Sequence, residues 1–431
     1  MIDTFQDIKA LFEQKSVDAL WAFNHCKPSD TGKWTNSYHR YPAKFIPQLV
    51  EQLLDEYEIE KEALVNDPFY GSGTTLVSSL AKGCRVCGTD INKFSFLLSK
   101  VKTRPLPPTY LAEKVGIFYD KVLHLETIEP SIPKQHLERI DYWFEEENKI
   151  KLGKILTLIN EEPNNAIREF LLVAISNILK NCSIWLQKSN KPTRDLKKPL
   201  QEPEKVLKRQ LNKMLRGNRA YWNNVSSEVK ENFDNYIDIH CGDATQQKVA
   251  DDSVDIIITS SPYVTSYEYA DLHQLTTIWL DLTDDLKEYR KEFIGTAFKK
   301  TENENVKLCS PIANEIVEKM KTKNKRKASD ISIFFADMEK VIAESYRILK
   351  KDSLACYVIG NTKLRGVDIF NAEVFIEIML SVGFSLERII KREIPSKLLP
   401  QTRDKKTGRF AKTTNHTSLA YPTEYIVIGK K

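Results

Sequence analysis

Ala63-Leu64-Val65-Asn66-Asp67-Pro68-Phe69-Tyr70-Gly71-Ser72-Gly73-Thr74-Thr75 is the stretch on which the fold of this chain turns. Its apolar start, residues 63–65, predicts a short buried strand. Asn66-Asp67-Pro68 stops that strand, and Gly71-Ser72-Gly73 turns the backbone into a helix beginning near Thr74. Two glycines let a ligand approach the backbone, and the first-turn N–H groups of a helix are donors without an intrahelical partner. Taken alone, the turn is either a plain strand-to-helix connection or a ligand cradle. Two phosphate sites do not fit. A phosphate-binding loop needs a lysine after its last glycine, and a dinucleotide turn needs a third glycine where Leu76 stands. Asp67, just before the turn, would repel phosphate and attract an ammonium group.

Outward from this stretch, residues 34–47 are dense in aromatic and polar side chains and lead into an amphipathic helix over 48–57. They read either as packing or as a pocket wall. After the turn, the helix runs to Ala81 and Gly83 closes it. A second strand over 85–88 leads to Asp90, at the strand end where a doubly wound sheet places an acid on ribose hydroxyls. Helical periodicity then takes over, with helices expected at 112–126, 134–159, 165–185, 202–218 and 226–234. Strands return at 236–240, followed by Asp243, and at 254–258, followed by Ser260-Ser261-Pro262-Tyr263. Tyr267, Tyr269, Asp271 and His273 begin a helix, with His273 in a structural or contact role rather than that of a base. Residues 282–330 are polar and lysine-rich and read as a mobile loop. A helix at 333–349, a strand at 353–359, a helix at 372–382 and a hairpin of 384–391 with 424–428 complete an α/β chain. It divides into a discontinuous domain, 1–105 and 236–431, around a helical insertion, 106–235.

With 431 residues, the chain can bury a large core. No apolar run reaches the ~20 residues that span a bilayer, and the N-terminus lacks a signal-peptide profile, so a soluble cytoplasmic protein is expected. Seven scattered cysteines suit a reducing compartment, and without a second pair or a histidine pair the Cys84/Cys87 spacing gives no metal site. The net charge of +5 is modest, but its distribution is not. Residues 188–219 carry eleven lysines and arginines against Asp195, Glu202 and Glu204, an excess that favours a polyanion. Residues 319–327 and 403–412 are also basic.

Four strand ends thus carry polar groups on the edge where open α/β sheets bind ligands. Residues 67–75, Asp90, Gly242-Asp243-Ala244 and residues 260–263 together resemble the class I methyltransferases that use S-adenosylmethionine. Within that class they resemble the DNA methyltransferases of exocyclic amines, cytosine N4 or adenine N6, and residues 39–45 are similar to the segment before the family's cofactor loop. The resemblance implies a Rossmann-like class I methyltransferase sheet with a large helical insertion. It implies cofactor contacts at Asp67, Phe69, Gly71, Ser72, Gly73, Thr74, Asp90, Ile91, Asp243 and Ala244. Asp67, Gly71 and Gly73 would meet the methionine end, Asp90 the ribose and Asp243 the adenine amino group. Residues Ser260, Ser261, Pro262 and Tyr263 would hold the target amine, with Tyr263 offering a ring to a flipped base. Ser261 replaces a proline of the family pattern, and a serine in first place is associated mainly with cytosine N4. A C5 enzyme would need a Pro-Cys nucleophile in this loop, and none is present. The implied function is site-specific DNA methylation at cytosine N4. Adenine N6, an RNA substrate or an inactive DNA-binding subunit are the alternatives. The implied partners are double-stranded DNA and a companion restriction endonuclease, at the nucleoid of a prokaryotic cytoplasm. DNA contacts are expected from Lys208, Arg209 and Lys213 in the insertion, which would recognise or clamp the target, and from Arg403, Lys405 and Arg409. The 282–330 loop is expected to close over DNA.

Overall fold

The computed structural model describes residues 5–41, 45–189, 191–264, 269–299, 307–394, 402–404, 417–419 and 423–431. One sheet holds seven strands: β1 (Leu64–Asp67), β2 (Arg85–Asp90), β3 (Ile237–Cys241), β4 (Val254–Ser260), β5 (Leu349–Ile359), β6 (Ser385–Glu393) and β7 (Thr423–Lys430). Their order is β3-β2-β1-β4-β5-β7-β6. β1 to β5 pair in parallel, and β7 runs antiparallel to both β5 and β6. The chain winds outward from β1 to β3 and then restarts on the other side at β4. The carboxyl ends of β1 and β4 therefore flank the switch point, where an α/β sheet opens a crevice. This is the Rossmann-like α/β sheet expected of the chain.

Alternation along the strands explains how the sheet is buried on both faces. Ile256 and Ile258 of β4 join Val65, Val86 and Val358 in one apolar cluster, whereas Val254 and Ile257 face Ala355 and Tyr357 in another. β1 continues through Asn66 and Asp67 instead of stopping at them. Asn66 can enter the sheet because its buried amide donates to Gln247 Oε1 at 2.9 Å.

Helices α1 (Pro47–Glu56), α2 (Thr74–Ala81) and α3 (Lys93–Thr103) belong to the sheet. The insertion contributes α4 (Pro108–Val122), α5 (Leu137–Trp143), α6 (Glu146–Asn160), α7 (Asn165–Cys182) and α8 (Pro203–Asn224). The single helix expected over 134–159 is two, because Phe144 and Glu145 take extended backbone; Phe144 packs edge-on against Trp279 at 5.3 Å. The apolar cluster of the insertion is shared. It takes in Phe94 and Leu98 of α3 and Leu275 and Ile278 of α9 (Gln274–Trp279).

Residues 282–330 correct an expectation. Apart from 300–306, which lie outside the described residues, they are largely helical: α10 (Leu286–Glu292), α11 (Pro311–Lys321) and the first turns of α12 (Lys325–Ile348). Ser310 caps α11 by accepting from Ala313 N at 2.9 Å, while Ile312, Ile316 and Met320 are buried beneath it. The polar composition belongs to solvated faces, where Lys319 pairs with Glu315 and Lys321 with Glu318. α13 (Asn371–Val382) leads into β6. Among the described residues no helix is long and apolar enough to cross a membrane, and no cluster of histidine, cysteine and acidic residues could hold a metal.

The insertion is seated tightly on the segment before β1. A Cβ at Gly217 of α8 would stand 2.6 Å from Trp34 O and 2.9 Å from the Tyr38 ring. Gly217→Ala is expected to lower stability by about 1–3 kcal/mol through overpacking, seen as a lower denaturation midpoint. An unchanged midpoint would mean that α8 does not sit so closely.

Candidate active site

The turn between β1 and α2 is held by three side chains, one at the end of β2 and two on α3. Gly71 and Gly73 have φ of 47° and 70°, in the left-handed region that suits glycine. Asp90 Oδ2, at the end of β2, accepts from Gly71 N at 2.8 Å, and Ser99 Oγ on α3 donates to Gly71 O at 3.2 Å. Lys102 is a buried lysine of the same helix whose ammonium donates to Ser72 O and to Asn36 Oδ1 (3.0 Å). Sequence reasoning missed Lys102, since a lysine in a helix gives no local sign of facing inward. Gly73 is required for packing as well as conformation: a Cβ there would lie 2.7 Å from Ser99 Oγ.

Over this turn, at the carboxyl ends of β1 to β4, opens a cavity of about 820 Å³, its mouth included. Of the residues expected to bind a ligand, Phe69, Gly71, Ser72, Thr74 and Asp90 line it, as do Ile91, Asp243, Ala244, Ser260 and Pro262. Asp67, Gly73, Ser261 and Tyr263 stand behind the lining. Asp67 supports the wall, because its Oδ1 accepts from Phe69 N (3.0 Å) and from Thr259 Oγ1 of β4 (2.6 Å). Its other oxygen is buried without a hydrogen bond.

Several lining residues were not foreseen as contacts. Tyr41 and Phe45 come from the aromatic segment for which packing and pocket wall were both open, and Tyr269 follows the 260–263 loop. Glu292, Phe293 and Ile294 come from the end of α10, inside the stretch read as a loop. α10 is anchored to the site through Tyr289, which accepts from Lys93 N (3.0 Å) and donates to Asn92 Oδ1 (3.2 Å). Tyr267 lies outside the described residues.

The wall has one sign of charge. Asp90, Asp243 and Glu292 line it, and no lysine or arginine does among the described residues. Burial pushes the Asp90 carboxyl up to about 7, against the hydrogen bonds from Asn92 N and Gly71 N. Burial likewise raises Asp67 to about 6. Two imidazoles lie beside the wall, His273 buried and His39 half-buried. Burial holds His39 down at about 3 and His273 at about 4, and the His273 ring packs 4.8 Å from that of Tyr41. Both rings are neutral at pH 7, so His273 is suited to packing rather than proton transfer at that pH.

The loop after β4 is fixed from behind. Ser261 is buried and its hydroxyl has no hydrogen bond. Tyr263 directs its hydroxyl away to Glu424 Oε2 at 3.2 Å.

The basic residues have mixed roles. On α8, Lys208 lies 5.1 Å from the Tyr119 ring, Arg209 donates to Gln201, and partial burial with Arg216 nearby holds Lys213 below the usual lysine range. Lys198 is committed to structure, donating to the carbonyls of Lys180, Ser183 (2.8 Å) and Trp185 (2.8 Å). Between α7 and α8 the chain forms a hairpin instead, with Trp185 bridged to Arg194 and Leu186 N donating to Thr193 O at 2.8 Å. Its tip is braced from within, since Lys180 Nζ (2.7 Å) and Trp185 Nε1 (3.2 Å) both donate to Ser189 O. Lys188 and Lys191 are exposed on it. A chain of contacts links the hairpin to the cavity wall: Asn177, one turn before Lys180 on α7, accepts from Arg40 N at 3.0 Å, and Arg40 precedes Tyr41. Arg403 falls in the short strand Thr402–Asp404, whereas Lys405 and Arg409 lie outside the described residues.

Comparisons with known proteins agree with this picture. Residues 6–100 match the DNA methylase family N6_N4_Mtase. The chain is similar to the type II methyltransferase M.MvaI of Kocuria varians, 28% identical over 93% of this chain and 92% of that protein. It is also similar to the type II methyltransferase M.AvaI of a Nostoc species, 22% identical over 90% and 85%. A shorter stretch, 19% of this chain, is 40% identical to 15% of M.MjaII of Methanocaldococcus jannaschii.

The two raised carboxyls give a pH test. An unfolded aspartate ionises near pH 3.9, whereas Asp67 and Asp90 hold their protons to about 6 and about 7. Between about pH 4 and 7 the folded chain therefore binds more protons than the unfolded one, and these groups cost stability as pH rises through that window. Asp90→Asn, which cannot ionise, should gain stability relative to the parent from pH 5 to 7 and level off above. Denaturant midpoints of the two proteins, compared at each pH, cancel the titration of other groups; a constant difference would contradict the raised pKa of Asp90.

Proposed function

We propose that this chain, a DNA methyltransferase of the N4/N6 family, transfers a methyl group from S-adenosylmethionine to the exocyclic amine of a flipped base within a specific DNA sequence, and that the base is cytosine, at N4. The observation that carries the reading is the cavity wall: three carboxylates and no cationic side chain among its described residues, at the sheet's switch point, with Ser260 and Pro262 on its edge. A phosphate-rich cofactor would meet repulsion there. A cofactor with ribose hydroxyls, an ammonium group and a sulfonium finds acceptors.

When bound, S-adenosylmethionine supplies a methyl group on a positively charged sulfur, a strong electrophile. The residues of the chain bind and align. Asp90 already accepts two backbone N–H groups and keeps lone pairs for ribose hydroxyls. Asp243, exposed at the end of β3, would accept from the adenine amino group. An exocyclic amine is a poor nucleophile while its lone pair is conjugated with the ring. Acceptors at Ser260 Oγ and the Ser261 carbonyl hold its N–H groups so that the lone pair is directed at the methyl, which is catalysis by orientation. The Ser-first loop favours cytosine N4 over adenine N6. On this reading the protein acts on chromosomal DNA in a prokaryotic cytoplasm, beside a restriction endonuclease that cuts the same sequence, and the 106–235 insertion recognises the target.

The first test is chemical. Incubation with DNA and S-adenosylmethionine, digestion to nucleosides and mass identification should give N4-methylcytosine. N6-methyladenine would overturn the choice of base, C5-methylcytosine the mechanism, and the absence of any product the activity.

The second concerns the DNA footprint. Exposed cations on a braced hairpin of the insertion suit phosphates of a bound duplex. Replacing Lys188 and Lys191 together by alanine should weaken binding equally for all sequences. It should flatten the slope of log affinity against log salt by about 2, as loss of two phosphate contacts requires. An unchanged slope would assign the DNA path elsewhere, to Lys208, Arg209 and Lys213 or to the 403–412 segment.

A further inference from the structure

The loop that follows β4 is held from the far side of the sheet by a buried ion pair. Glu424 of β7 and Arg392 of β6 stand opposite each other in the antiparallel register. Arg392 Nη1 donates to Glu424 Oε1 at 2.6 Å, and the other carboxylate oxygen accepts from Tyr263 Oη at 3.2 Å. Arg392 is 3% exposed and Glu424 8%. Such a pair costs desolvation that its attraction only partly returns, so its presence is weak evidence for stability. What distinguishes it is the third member, the last residue of the 260–263 loop. The Tyr263 ring fills the space over Gly360, just past β5, where a Cβ would lie 3.2 Å from it. Burial and the neighbouring carboxylate raise the phenol well above its ordinary range, so it stays a donor.

We infer that Glu424 and Arg392 are positioning residues for methyl transfer: through the Tyr263 hydroxyl they fix the loop, and with it the Ser260 hydroxyl and the Ser261 carbonyl. The role rests on the reading that this loop holds the target amine. It differs from a stacking role for Tyr263, because stacking needs the ring and positioning needs the hydroxyl. Tyr263 is not part of the cavity lining, and turning its ring toward the cavity would break its bond to Glu424.

Tyr263→Phe separates the two, since it keeps the ring and removes one oxygen. Positioning predicts a fall in kcat of about five- to tenfold, the worth of one ordinary hydrogen bond, with the KM for S-adenosylmethionine within twofold of the parent. Glu424→Gln should give a similar fall, and the double variant should be no worse than the poorer single one. Gly360→Ala, which leaves the three side chains in place and presses on the ring, should show the same selective loss of kcat and serves if Glu424→Gln does not fold. A Tyr263→Phe enzyme with the parent's kcat would overturn the inference, as would strictly additive losses. Hydrogen exchange followed by mass spectrometry gives a readout free of the functional reading. Peptides covering residues 259–264 should exchange faster in the unliganded Tyr263→Phe protein, and unaltered exchange there would overturn the inference even if the parent proved to transfer no methyl group.

Discussion

The site depends on one hydrogen-bonded carboxylate. Asp90 closes the end of β2, yet its oxygens accept from Gly71 N, in the turn after β1, and from Asn92 N, at the start of α3. Neighbouring strand ends are thereby joined by a group that is costly to bury when charged. The backbone amides offset part of that cost, and the carboxyl, pushed up to about 7, keeps the sign of what remains. A ligand donating hydroxyls to the same carboxylate would stabilise its charged form. The group that shapes the turn is thus also the group with most to gain from a ligand, which links the rigidity of the loop to its affinity.

How far this was legible in the sequence follows from how local each feature is. The strand, glycine turn and helix over 63–81, the acid at Asp90 and the loop after β4 depend on neighbours in the chain, and all fall on the switch-point edge. Lys102 depends on Asn36 and on the Ser72 carbonyl, and nothing in its own helix announces them. Glu292, Phe293 and Ile294 reach the cavity because distant residues hold their helix, Tyr289 being bonded to Asn92 and Lys93 and Arg290 to Asp271. The 282–330 stretch read as a loop because lysines and glutamates on the solvated faces of α10 and α11 outweighed their narrow apolar stripes. A composition average hides a stripe of that kind.

Charge illustrates the same limit. The basic excess over 188–219 is real, but the structure divides it. Lys198 is spent on three carbonyls at the end of α7, Arg209 on a glutamine, and Lys188 and Lys191 face solvent on a hairpin that no helical periodicity describes. Counting cations gave a region, and only their hydrogen bonds separate anchors from contacts.

The shared apolar cluster of the insertion bears on the order in which the molecule assembles. β1 and β4 are adjacent in the sheet although the whole of α4 to α8 lies between them in the chain. The entropy of closing so long a loop grows only slowly with its length, but contacts of such separation form late. The insertion binds Phe94 and Leu98 from before it and Leu275 and Ile278 from after β4. By packing against both flanks, the insertion shortens the loop that β4 has to close to lie beside β1, so the central strand of the sheet, with residues 260–263 at its tip, depends on the helical bundle as well as on its own sheet neighbours.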